Sequence, residues 1–148
     1  MIPQFNKKGW LPPGIYEASL EEFEKRFVYN KEREGIYRGL VVLIADLKKV
    51  GCQTMYVDGS FVTSKNRPGD ADVCWEVKHT ADYMTVVGLI APVLKMVKFP
   101  RREQKQRYCA DVFPANAPAD NLMTPFIKYF QQDKDTKKPK GIIKINFQ

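Results

Sequence analysis

The chain has 148 residues, enough for one domain with a sizeable core and too few for a comparable second one. Its 44% hydrophobic content excludes wholesale disorder, and no apolar run approaches the roughly 20 residues of a membrane-spanning helix. A net charge of +7, from 24 basic and 17 acidic residues, favours an anionic partner such as a nucleotide, RNA or DNA.

In chain order, residues 1–18 read as an extended arm that ends in the turn-forming Pro12-Pro13-Gly14. The segment from Met1 to Lys8 lacks the apolar stretch of a signal peptide, so a cytoplasmic location is expected. Ser19 and Glu22 have capping-box spacing and predict a short helix to Phe27, with Leu20, Phe23 and Phe27 on one face. Residues 32–50 predict a long helix with the apolar stripe Ile36, Leu40, Leu43, Ile44 and Leu47, ended by Gly51. Gly35 and Gly39 each weaken it by about 1 kcal/mol relative to alanine, which close packing against the sheet, or against a substrate, would explain.

Residues 54–57 predict a buried strand that delivers Asp58-Gly59-Ser60 at its carboxyl end, and residues 70–75 predict a second strand. Residues 82–97 have helical tendencies, with a helix start near Pro92. Residues 100–107 are basic and fit either a helix or an exposed loop. Residues 108–113 predict a third strand. Residues 121–132 predict an amphipathic helix, residues 134–140 a charged linker, and residues 142–147 a final strand. The expected fold class is α+β, a small mixed sheet with helices packed on one face. The whole chain, 1–148, forms a single domain, with 134–148 as a basic C-terminal segment.

Cys52, Cys74 and Cys109 are odd in number and lack CxxC spacing, so buried free thiols are expected. The single histidine, His79, has no partners at zinc-ligand spacing. Trp75, Tyr56 and Phe113 are expected in the core.

The chemistry concentrates in residues 59–73. Asp70 and Asp72 are separated by one residue on a predicted strand, so both point to one face. Two carboxylates held that close repel, and a divalent cation relieves the repulsion. Gly59-Ser60 offers backbone N–H groups to a phosphate, because glycine allows close backbone approach. Asp58 is expected to brace that turn. Phosphate, cation and paired carboxylates are the components of nucleotidyl transfer.

Gly59-Ser60 followed at this spacing by Asp70-Ala71-Asp72-Val73 resembles the signature of the DNA polymerase beta-like nucleotidyltransferase superfamily, and in particular its minimal bacterial, archaeal and phage members. The resemblance implies a nucleotidyltransferase fold and an enzyme that moves a nucleoside monophosphate from an NTP, such as ATP, to an RNA (including tRNA) or protein hydroxyl. It implies that Gly59 and Ser60 hold the triphosphate and that Asp70 and Asp72 bind Mg²⁺ or Mn²⁺. A third catalytic carboxylate would come from a later strand, where Asp111 is the best candidate. Lys65 and Arg67 are candidates for phosphate contact, at positions where that family more often has small residues and glycine. The implied settings are toxin–antitoxin and phage-defence systems, with a partner subunit and no membrane. Two other readings fit the same residues: a nucleotide- or nucleic-acid-binding module without catalysis, and an antitoxin-like interaction subunit.

Overall fold

The computed structural model describes residues 1–76, 83–95 and 102–147. His79 and residues 96–101 of the basic stretch lie outside the described residues, as do parts of the 82–97 segment. Five strands form one mixed sheet in the order β1-β5-β2-β3-β4: β1 (Ile15–Ala18), β2 (Thr54–Asp58), β3 (Ala71–Trp75), β4 (Ala110–Pro114) and β5 (Ile142–Asn146). β2 pairs antiparallel with both β3 and β5, while the β1–β5 and β3–β4 pairs are parallel. The connection between β3 and β4 carries helices, as a parallel pair requires.

Strand alternation splits the sheet into two faces. Met55, Val57, Val73, Trp75, Val112, Ile143 and Ile145 point into the main core, with Phe23 and Phe27 of α1 (Leu20–Phe27) and Ile36, Leu40, Leu43 and Leu47 of α2 (Lys31–Lys49). The Ser19 capping box forms as its spacing predicts. Val87 of α3 (Tyr83–Ile90) belongs to the same core, as does Tyr108 at the end of α4 (Arg102–Tyr108). The opposite face carries a smaller cluster of Tyr56, Cys74, Phe113 and Phe130, covered by the single turn α5 (Phe126–Tyr129). Phe113 and Phe126 stack there at 4.0 Å. Tyr56, Trp75 and Phe113 are thus core residues; none of the three cysteines is in a disulfide, and Cys52 and Cys74 are buried as expected while Cys109 is half-buried. Among the described residues no helix is long and apolar enough to cross a membrane.

Three expectations are corrected, on the N-terminal arm, on Tyr108 and on the helix over 121–132. The N-terminal arm ends in an edge strand, β1, and its Leu11 is buried. The final strand expected over 142–147 does form, as β5, and it lies inside the sheet because its isoleucines cover both faces between β1 and β2. Tyr108 closes a helix rather than opening a strand: Cys109 takes a left-handed φ of 52° and turns the chain into β4. The helix expected over 121–132 shrinks to one turn. The Asp120 carboxylate accepts from the N–H groups of Leu122 and Thr124, which holds a competing turn, and Pro125 starts α5 only after it.

α2 and α4 are joined at two points. Asp46 is buried and accepts from Arg107 at 2.7 and 3.0 Å and from the Tyr108 hydroxyl at 2.6 Å. The Arg107 hydrogen bonds hold Asp46 below the usual carboxylate range. Gly39 lets the helices touch, since a Cβ there would lie 2.2 Å from the Tyr108 carbonyl oxygen, whereas one at Gly35 would meet nothing within 4 Å. Gly35→Ala should therefore raise stability by about 0.4–1 kcal/mol. Gly39→Ala should lower it by about 1–3 kcal/mol despite the better helix propensity. Urea denaturation of the two variants checks both signs.

Candidate functional site

The register of the sheet builds the site. Asp58 pairs with Asp72 across β2–β3, and Asp72 pairs with Asp111 across β3–β4. Residues paired across neighbouring strands project to the same face, so the three aspartates form a row at one end of the sheet. Asp70 immediately precedes β3 and joins them: the Lys105 ammonium lies 3.5 Å from Asp70 Oδ2 and 3.6 Å from Asp111 Oδ2. The predicted carboxylates Asp70, Asp72 and Asp111 are thus brought together. Asp58 is a fourth member that sequence reasoning treated as a turn brace. Its N–H partner from Gly59 fits that role, but its position in the row makes it part of the site as well.

Gly59 adopts φ 81°, where a side chain is strained, and a Cβ on it would lie 2.6 Å from Asp72 Oδ2. The turn therefore sits directly against the carboxylates, and only glycine fits there. Ser60 begins a short 3-10 turn to Val62. Both residues, with Asp58, Asp70, Asp72, Lys65 and Lys140, line a cleft of about 550 Å³. Arg67 is turned elsewhere, its Nε 3.5 Å from Glu32 of α2, and it does not line this cleft.

The loop between β2 and β3 is held from below by Arg33. This buried guanidinium donates to the carbonyls of Phe27 (3.0 Å), Phe61 (2.6 Å), Thr63 (2.9 Å) and Lys65 (2.5 Å). A signal for it existed, because Arg33 lies one turn before Ile36 on the apolar stripe of α2. On the other side of the cleft, residues 133–140 are an ordered loop rather than a linker. Asp133 Oδ2 accepts from Thr136 N–H at 2.8 Å, and Lys140 N–H donates to the Gln131 carbonyl. That loop sets the Lys140 ammonium 3.4 Å from Asp58 Oδ1. At the outer edge of β4 the buried Gln104 extends the ladder, accepting from Val112 N–H at 3.1 Å.

Electrostatics at the row are strained. Burial, then the charges of Asp58, Asp70 and Asp111, push Asp72 up to about 7. Burial pushes Asp58 up to about 6, against the opposing pull of Lys140. Asp58 Oδ1 is buried without a hydrogen-bond partner among the described residues, its nearest cation being that ammonium. Crowded oxygen donors of one charge suit a hard divalent cation. As the side chains stand, however, no three Asp, Glu, His or Cys among the described residues converge closely enough to hold a metal ion. Lys105 and Lys140 take the neutralising role instead.

The fold and site define a class: an α+β protein with a five-stranded mixed sheet whose Asp58, Asp70 and Asp72 line a cleft edged by Lys65 and Lys140, with Asp111 next to Asp72 in the row but outside the cleft lining. The chain belongs to DUF6932, a family of unknown function, whose sequence profile matches residues 3–146. No curated protein and no solved structure matches it.

Proposed function

We propose that this protein is a Mg²⁺- or Mn²⁺-dependent nucleotidyltransferase of the nucleotidyltransferase fold, acting on an NTP such as ATP. The observation that carries this reading is the in-register alignment of Asp72 with Asp111, directly against the Gly59–Ser60 turn. Asp70, Asp72 and Asp111 would hold the metal, with Lys105 withdrawn from between them. The bound ion would neutralise phosphate charge and align the reacting groups. Gly59 and Ser60 would grip the outer phosphates, and Lys65 would contact them from the cleft wall. The acceptor hydroxyl oxygen bonds to the α-phosphorus, the bond from that phosphorus to the β-bridging oxygen breaks, and pyrophosphate leaves. The hydroxyl proton would pass to a carboxylate of the row, a role we assign to Asp111, which neighbours Asp72 in the sheet. An RNA end such as that of tRNA, or a protein hydroxyl, is the acceptor. The three free thiols suit the reducing cytoplasm, and a toxin–antitoxin or phage-defence role with a partner subunit suits so small an enzyme.

A second reading is a nucleotide-binding module without catalysis. The two lysines that engage Asp58, Asp70 and Asp111, in place of a gathered metal site, favour it. Incubation with each α-labelled NTP, Mg²⁺ or Mn²⁺, total RNA and cell extract separates the two. Transfer by the wild type, lost in Asp70→Ala and Asp72→Ala proteins that remain folded, is the expected result. Nucleotide binding with no label transferred under any metal would establish the second reading instead.

A further inference from the structure

The cleft has a wall for which the transfer chemistry has no use. Besides the carboxylates and the Gly59–Ser60 turn, it is lined by Trp10, Tyr129 and Gln132. These residues come from opposite ends of the chain. The Trp10 backbone N–H donates to Asn6 Oδ1 at 3.1 Å, and the adjoining Gly9 carbonyl accepts from the Ser64 backbone N–H in the loop after Gly59–Ser60. Tyr129 ends α5, its N–H donating to the Pro125 carbonyl at 2.9 Å. Both rings are half-buried: Tyr129 packs edge-on beside Phe126 and Phe130 at the margin of the smaller cluster, and Trp10 belongs to neither cluster. Each faces a lysine ammonium, Lys8 at 4.9 Å from the Trp10 centroid and Lys137 at 5.7 Å from that of Tyr129.

Two half-buried rings beside a phosphate-binding turn have one economical use, which is to stack a flat, uncharged group that accompanies a polyphosphate. Stacking of a base on such a ring is stronger than an exposed cation–π contact, so a nucleobase displaces the lysines from the ring faces. We propose that Trp10 and Tyr129 receive the nucleobase of a nucleoside triphosphate whose phosphates lie on the Gly59–Ser60 turn near Lys65 and Lys140. This assignment rests on the reading of the cleft as a nucleotide site. Because every base has a π-face, the wall tolerates all four and favours the larger purines.

Trp10 reports its own occupancy, since the other tryptophan, Trp75, is fully buried and gives a constant background. Tryptophan emission is followed during titration with ATP and, separately, with inorganic tripolyphosphate, both with Mg²⁺. ATP should quench the emission and bind more tightly than tripolyphosphate. Trp10→Ala should weaken ATP about tenfold and leave tripolyphosphate unchanged, while Trp10→Phe keeps most of the affinity. Tyr129→Ala, measured by calorimetry, gives an independent reading of the same wall should Trp10→Ala fold poorly. Equal affinities for ATP and tripolyphosphate, unaffected by either variant, would overturn the nucleobase wall and leave the transferase reading standing. Absence of binding by both ligands would overturn the two together.

Discussion

Replacing Asp72 with asparagine is expected to lower nucleotidyl transfer by at least about 10³-fold while raising the melting temperature of the metal-free protein at pH 8. The loss follows from removing the central carboxylate of the row, since metal stabilisation of the transition state amounts to several kcal/mol. The stability gain follows from the same crowding. Asp72 is pushed from an ordinary 3.8 up to about 7 by burial and by Asp58, Asp70 and Asp111. Its folded-state pKa is raised, so its contribution is fully present below about pH 4 and is lost as pH rises toward 7. Asp58, raised to about 6, acts in the same direction over the lower part of that window. The loss from Asp72 alone between pH 4 and pH 8 is on the order of 4 kcal/mol. Asparagine carries no charge to repel and should flatten the profile. Thermal melts at pH 5 and pH 8, with and without Mg²⁺, provide the check. Mg²⁺ should stabilise the wild type more at pH 8 than at pH 5, and the asparagine variant little at either. A wild-type profile that rises or stays level from pH 5 to pH 8 would refute the crowding argument, and full activity in the variant would refute the catalytic one.

Arg33→Met should destabilise the fold by at least about 3 kcal/mol and, in whatever protein remains folded, raise KM for the NTP. Among the described residues the guanidinium has no carboxylate partner and is held by four carbonyls, with the Tyr29 and Phe61 rings 4.7 and 5.1 Å from its centre. Burial lowers its pKa, opposed by the nearby Tyr29 hydroxyl. Each buried acceptor left without a donor costs about 1–3 kcal/mol, and methionine satisfies none of the four. Three of those carbonyls belong to Phe61, Thr63 and Lys65, so the loop that begins at Gly59–Ser60 loses its support. Lysine should not rescue, because its single ammonium cannot reproduce the planar fork. The urea midpoint measures the stability term. A loss below about 1 kcal/mol would show that water can replace Arg33, and its role as the keystone of the loop would fall.

Local signals carried much of the architecture. The stripe of α2, the Ser19 capping box and the alternation in β2 and β3 are short-range patterns, in which burial of one face dictates the element. Competition that is also local, but finely balanced, defeated the reading at 121–132, where the Asp120 turn and Pro125 outweigh the apolar spacing of Leu122 and Phe126. Leu122 is accordingly 86% exposed.

The site divides along the same line. Asp70, Asp72 and Gly59-Ser60 were legible because they lie within one stretch whose chemistry is set by spacing and alternation. Asp58, Lys105, Lys140, Trp10 and Tyr129 were not, because their membership depends on strand order, register and loop paths. The sheet places β5 beside β2 and so brings Lys140 to Asp58; the parallel pairing of β4 with β3 sets Asp111 beside Asp72. By itself, then, the sequence determined an α+β chain with a carboxylate pair behind a glycine turn, since these are consequences of local periodicity. Only the tertiary structure decided which charges share the cleft and how strongly they repel, since those depend on distances between residues far apart in the chain.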